Sequence, residues 1–443
     1  MKSRILGIAF LFTFVITTSA ALAQDRWVAT WATSPQTSSF GFAAPKQKPD
    51  AKAPAAKSQE PAAPKQKPEA KVPAAKTAAP AFFATPDRLD NQTVRQVVRT
   101  SVGGTSVRVR ISNAHGTGPL TVGAARIAIP GKESAIVPGS DRELTFNGKP
   151  SFIIPPGALA VSDPVDMKVP ALGHLSISLY VTGDPTEPTV HLTGLRTTYM
   201  TKTGDFTKNT ELADTTTIQS WYWITGVDVL APSNAATIVA FGDSITDGAT
   251  STPDADRSWP SRLAERLAAN KNTANVAIVN HGISGNQLLS DGAGISALAR
   301  FDRDVLAQPG VKWFVLLEGI NDIGMSSMGG GNVISAERLI AAHKQMIDRA
   351  HLHGIKAIGA TLLPYGGASY YSEQGEAVRQ AVNQWIRTSG AYDAVVDFDA
   401  KLRDAQKPNE MNPAYYINDH LHPNDEGYKI MADAFDLEIF SIR

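Results

Sequence analysis

From residue 235 to the C-terminus, short apolar runs alternate with amphipathic helical stretches, and that rhythm leaves few folds open. Strand cores are expected at residues 236–241 (ATIVAF), 276–279, 314–317, 355–360 and 395–396. Helices are expected at 259–268, 339–353, 373–387 and 426–439. Strands separated by helices pair in parallel and need cover on both faces, because each βαβ crossover lays its helix on the sheet. Such an α/β sheet binds its ligand at the carboxyl ends of the strands. Residues that directly follow a strand are therefore the ones to search for chemistry.

Upstream, the pattern is β without helices. Residues 107–111 (VRVRI) alternate with period two, as do parts of 175–181, and Gly and Pro punctuate at short intervals. An antiparallel sandwich or jelly-roll-like domain is expected over 81–232, ahead of an α/β domain at 233–443. Trp221 and Trp223 occupy alternate positions. They fit a sugar-stacking face, but such residues more often pack in a core or between domains. The run 27–31 (WVATW) marks a short β segment within 24–42.

Two further segments have their own character. Lys2 and Arg4 precede an apolar stretch, and Ala21-Leu22-Ala23 fits a signal-peptidase site. Residues 1–23 are expected to be a signal peptide rather than an uncleaved anchor, which places the protein in the periplasm or the medium. Residues 43–57 reappear almost unchanged as 62–76, within an Ala/Pro/Lys tract at 43–80. Such a tract cannot bury enough apolar surface to offset its chain entropy, so a disordered tether is expected.

Lys plus Arg and Asp plus Glu both number 42, so no basic excess points to nucleic acid. The absence of cysteine excludes disulfides, thiolate metal sites and a Cys nucleophile. No His/Asp group has convincing metal-ligand spacing, and neither a metal nor a cofactor is expected.

The sequence GDSITDG follows the first strand and places Ser244 at a strand-to-helix turn. A serine hydroxyl needs a base, and Asp419-His420-Leu421-His422-Pro423 offers one. An acid three residues before a histidine can meet it on one side of a turn, so Asp419 would orient His422 towards Ser244. His420, adjacent to Asp419, is expected to point elsewhere. An acyl-transfer intermediate also needs donors for its oxyanion. The Ser244 N–H, a glycine N–H of the NHGISG segment (280–285) and the Asn321 amide in GIND are the candidates. Asp243, Asp247 and Asp322 are expected to stabilise turns by accepting backbone N–H bonds. His115 and His281 are expected to be structural.

In order, GDSITDG, NHGISG, GIND and DHLHP resemble the four sequence blocks of the SGNH (GDSL) hydrolases, over roughly the C-terminal half of the chain. The first block reads GDSI where the family name has GDSL, a conservative departure. The TWATSP segment and the β-rich stretch resemble, more loosely, a secreted bacterial subgroup. The resemblance implies a flavodoxin-like three-layer fold with a five-stranded parallel sheet. It also implies Ser244 as nucleophile, His422 as base, Asp419 as orienting acid, and Ser244, Gly285 and Asn321 as oxyanion donors.

The expected function is a serine esterase acting on a small-molecule or glycan ester, with O-deacetylation of a glycan as the sharper reading. A broad short-chain carboxylesterase or lipase is the nearest alternative, with Leu288, Leu289 and Met325 as candidate walls of an acyl pocket. Further alternatives are a glycan-binding protein with a vestigial hydrolase domain, and acyl transfer to a sugar hydroxyl.

Overall fold

The computed structural model describes residues 24–38, 89–183, 187–328 and 332–442. The expected signal peptide at 1–23 and the Ala/Pro/Lys tract at 43–80 lie outside the described residues.

The α/β unit is built on five parallel strands: β1 (Ala236–Gly242), β2 (Val276–Gly282), β3 (Val311–Leu317), β4 (Lys356–Ala360) and β5 (Ala394–Val396). Their order is β2-β1-β3-β4-β5, the flavodoxin-like arrangement. All seven residues of β1 are buried, as a central parallel strand covered on both faces requires. The helices are α1 (Ser244–Asp247), α2 (Trp259–Ala269), α3 (Ala297–Phe301), α4 (Ile320–Ser327), α5 (Ala336–Leu352), α6 (Glu373–Thr388), α7 (Phe398–Leu402) and α8 (Asp425–Asp433). One core unites β1 and β3 with Leu263 and Leu267 of α2, Leu339 and Met346 of α5, and Val382 of α6.

Local chemistry sets several of the helix ends. Ser372 accepts the Gly375 N–H at the start of α6, and Asn424 accepts the Glu426 and Gly427 N–H groups at the start of α8. The final helix is shorter than its pattern suggests. Asp436 caps a separate 3₁₀ turn at Leu437–Phe440 by accepting the Glu438 N–H, so the expected single helix is divided in two.

The preceding unit is antiparallel and β-rich. One sheet holds Arg26–Ala32, Ile224–Ala231, Gly104–Ser112 and Leu159–Val161 in that order, and a second centres on Gln92–Arg99 and His174–Thr182. Val107, Val109 and Ile111 of the first sheet share a core with Val94, Val98, Ile177 and Leu179 of the second. The alternation at 107–111 is thus real, but the intervening arginines are not simply solvated. Arg110 is buried and donates to Gln308 of the α/β unit at 2.8 Å, while Asp228 pairs with both Arg108 and Arg110.

The two units are stitched together by hydrogen bonds. Ala29 N donates to Pro309 O at 2.9 Å, Thr237 Oγ1 to Ala29 O at 3.1 Å, and Ile278 N to Ser101 Oγ at 3.1 Å. Trp223 is a core residue, while Trp221 meets Trp31 edge-on at 5.1 Å. Both tryptophans therefore pack within or between units, and Trp221 walls a cavity of about 100 Å³ at the boundary.

Candidate active site

Three strand ends and one loop converge. Ser244 follows β1 as the first residue of α1, so its N–H is among those without an intrahelical acceptor. Asp243 caps this helix by accepting the Ile245 N–H at 2.9 Å. The turn is tight: a Cβ on Gly242 would lie 2.3 Å from Leu317 O and 2.4 Å from Thr246 Oγ1. Gly285 lies just past β2 with φ +77°, a left-handed conformation that favours glycine. Asn321 lies in the first turn of α4, just past β3.

The fourth element is the loop before α8. His422 Nε2 lies 2.8 Å from Ser244 Oγ, and His422 Nδ1 lies 2.6 Å from Asp419 Oδ2. The other oxygen of Asp419 accepts the Leu421 and His422 N–H groups, each at 3.0 Å. Burial pushes the Asp419 carboxyl up, but the hydrogen bonds and charge of His422 outweigh it and hold the group below its ordinary range. His420, with φ +57°, packs against the Tyr416 ring at 4.7 Å and takes no part in this chain of bonds.

Asn321 is oriented from both ends. Its Nδ2 donates one hydrogen to Asn286 O at 2.9 Å, and its Oδ1 accepts the Tyr370 hydroxyl at 3.3 Å. The second Nδ2 hydrogen remains for a ligand. Beneath these groups lies a set of buried acids. Burial raises Asp243 to about 7 and Glu318 well above its ordinary value, so both lean to the neutral form at acidic to neutral pH. Negative charge next to Ser244 is thereby reduced, which would favour an anion at the candidate oxyanion donors Ser244, Gly285 and Asn321.

The flanking acids and histidines hold structure together. Asp322 accepts the Leu288 and Leu289 N–H groups at 2.6 and 3.0 Å. Asp247 accepts the Ser284 N–H at 2.9 Å and also pairs with His191 at 2.8 Å, so it joins distant segments rather than its own turn. His115 binds Pro35 O at 3.1 Å, and His281 lies buried against Ser34 Oγ at 3.0 Å. Sequence reasoning did not single out His191, Arg300 or Tyr370, because their partners are 56, 14 and 49 residues away and no local motif announces them.

Burial lowers His191, but the Asp247 carboxylate overcomes this and raises it above its ordinary value. A raised histidine stabilises the fold at pH below its unfolded value of about 6.5, and the contribution fades as pH rises through the folded value. The thermal midpoint of the parent should therefore fall between pH 6 and pH 9 more than that of His191→Gln. Parallel pH profiles for the two proteins would refute this assignment.

A depression of about 300 Å³ is walled by Gln287 and Asp322, the chain neighbours of Asn286 and Asn321, and by Ser290, Met325, Ser326 and Arg338 among others. Met325 does line it, as an acyl pocket would require, but most of its neighbours are polar. Leu288 is fully buried in the core and Leu289 packs against that core. Among the described residues no group of acids and histidines is arranged to hold a metal ion, and no helix is long and apolar enough to cross a membrane.

The model of the GDSL-like lipase/acylhydrolase family matches residues 240–430. No curated protein matches the chain. Among solved structures, a protein from Desulfitobacterium hafniense DCB-2, described as of the lipolytic G-D-S-L family, is 25% identical with a TM-score of 0.35, covering 45% of this chain and 97% of its own. An acetyl xylan esterase variant from Geobacillus stearothermophilus is 22% identical with a TM-score of 0.35, covering 47% of this chain and 98% of its own. A GDSL-like lipase from Bacteroides thetaiotaomicron VPI-5482 is 21% identical with a TM-score of 0.32, covering 45% and 84% respectively. With the family's sequence blocks at the ends of three strands of a parallel sheet, the α/β unit of this chain belongs to the SGNH (GDSL-like lipase/acylhydrolase) family of ester-hydrolysing enzymes.

Proposed function

We propose that the protein is an exported serine esterase that removes short acyl groups, foremost acetyl, from a polar alcohol such as a glycan hydroxyl. Ser244 Oγ attacks the ester carbonyl carbon as His422 Nε2 takes its proton. The oxyanion accepts hydrogen bonds from the Ser244 and Gly285 N–H groups and the free Asn321 Nδ2 hydrogen. Collapse of the tetrahedral intermediate expels the alcohol, which receives the proton from His422. Water then attacks the acyl-enzyme with the same base, releasing the carboxylic acid and restoring Ser244.

The observation that carries this reading is the continuous run of contacts from Ser244 Oγ through His422 to Asp419, at 2.8 and 2.6 Å. The mostly polar walls of the depression lined by Gln287 and Asp322, next in the chain to Asn286 and Asn321, support a hydroxylated alcohol over a long acyl chain. Export is supported by the charged, apolar and small-residue pattern of residues 1–23.

The test is hydrolysis of p-nitrophenyl esters of two, four and eight carbons, and acetate release from acetylated xylo-oligosaccharides, beside Ser244→Ala. Fastest turnover on acetate, enzyme-dependent acetate release and loss of both in the variant are expected. A preference for the eight-carbon ester would favour the lipase reading. Acetate release no faster than without enzyme would overturn the glycan reading.

A further inference from the structure

We propose that His191, contributed by the β-rich unit, is a positioning residue for the oxyanion donors, so that the active site is completed across the boundary between the two units. The inference rests on the esterase reading above. It begins with the ring itself. His191 ends the strand Thr189–His191, with Nδ1 2.9 Å from the carbonyl oxygen of Ser34 and Nε2 2.8 Å from Asp247 Oδ1. A backbone carbonyl only accepts, and an ionised carboxylate only accepts, so both ring nitrogens must donate. His191 is therefore an imidazolium in a buried ion pair, with side chains 2% and 3% exposed.

Asp247 carries that constraint into the site. It is the last residue of α1, the helix that Ser244 begins. Its second oxygen accepts both the N–H of Ser284, at 2.9 Å, and the Ser284 hydroxyl, at 2.8 Å. Ser284 immediately precedes Gly285. One carboxylate thus ties the nucleophile's helix to the loop of an oxyanion donor, and His191 fixes the carboxylate. Close packing reinforces the tie, since a Cβ on Gly282 would sit 2.2 Å from Asp247 N.

A second strut runs in parallel from the N-terminal segment. Arg300 Nη1 donates to Ser34 Oγ at 3.0 Å and its Nε donates to Asn286 Oδ1 at 2.9 Å. Asn286 O in turn accepts the Asn321 amide at 2.9 Å. Ser34 therefore meets His191 through its carbonyl and Arg300 through its hydroxyl, so both struts share one residue of the β-rich side. The Trp221 ring stacks over His191 at 5.7 Å and meets Trp31 edge-on at 5.1 Å.

An oxyanion donor must sit where the intermediate's oxygen will be, and small displacements from distant changes can cost about 10²-fold in rate. The experiment measures kcat and KM for p-nitrophenyl acetate, inhibition by phenylboronic acid and thermal midpoints in the parent, His191→Ala, His191→Gln, Ser284→Ala and Ser244→Ala. Phenylboronic acid serves as the probe because its adduct with Ser244 mimics the tetrahedral intermediate. His191→Ala is expected to lower kcat by about 10- to 100-fold with KM nearly unchanged, and to weaken boronate inhibition by a similar factor. His191→Gln keeps one N–H for Asp247 and should recover most of the loss. A His191→Ala protein with parental kcat and boronate affinity would overturn the positioning role while leaving the esterase reading intact. If His191→Ala does not fold, Ser284→Ala decides, and parental boronate affinity in that variant overturns the proposal. Turnover that survives Ser244→Ala would instead sink the reading of the site, and the positioning role with it.

Discussion

Ser244→Ala and His422→Ala are each expected to lower kcat for p-nitrophenyl acetate by about 10⁶-fold, and the double variant by no more than either alone. The non-additivity follows from the geometry. Ser244 Oγ and His422 Nε2 are 2.8 Å apart and share one proton, so removing either leaves nothing for the other to act on. Independent contributions would multiply; a nucleophile and its base do not. What survives is catalysis by the oxyanion donors acting on water-driven hydrolysis, and that residue should be common to all three variants. Stability should change little, since His422 lies in a part-buried loop: Ser244→Ala removes one side-chain bond, and His422→Ala removes two, those to Ser244 and to Asp419. The measurement is kcat with thermal midpoints alongside. A loss of only tenfold in either single variant, or a double variant at the product of the singles, would mean that the pair is not a working unit.

How much of this was legible beforehand depends on distance along the chain. Asp419 and His422 are three residues apart, and Asp243, Ser244 and Gly248 form one strand-to-helix turn, so short-range chemistry writes them into contiguous motifs. The parallel sheet was legible for a related reason: a strand buried on both faces must be an uninterrupted apolar run, and β1 is one. The bracing of the site was not. Ser34 and Arg300 are 266 residues apart, Ser34 and His191 are 157 apart, and each reads locally as an ordinary polar residue. Leu288 shows the opposite failure: its apolar character suited an acyl pocket and a core equally well, and packing assigned it to the core. The two tryptophans likewise carried no mark that separates a sugar platform from internal packing, which here pairs Trp221 with Trp31 inside the β-rich unit. The tract at 43–80 lies between the strand Arg26–Ala32 and its sheet partners, so the composition break in the sequence falls inside one β-rich unit.

Asp419→Asn should lower kcat by about 10⁴-fold while leaving the shape of the site almost unchanged. The reason is the direction of a single proton. Asp419 accepts on both sides: Oδ1 takes the Leu421 and His422 N–H groups, each at 3.0 Å, and Oδ2 takes the His422 Nδ1–H at 2.6 Å. An asparagine has only one acceptor oxygen. If that oxygen stays on the two backbone N–H groups, the NH₂ group faces Nδ1 and donates to it. The imidazole must then carry its hydrogen on Nε2, pointed at Ser244 Oγ, and it can no longer take the serine proton. If the amide flips instead, two backbone N–H groups lose their acceptor and face an NH₂ group, at a cost of about 1–3 kcal/mol each to the extent that they are buried. The first arrangement is favoured, and it is the inactive one. Because the same base serves attack by Ser244 and later attack by water, acylation and deacylation should slow together, so the fraction held as acyl-enzyme should match that of the parent. Single-turnover and steady-state rates on p-nitrophenyl acetate distinguish this from a merely loosened loop, which would spare one step and raise KM. An Asp419→Asn protein within tenfold of the parent would show that the tautomer of His422 is set by something other than Asp419.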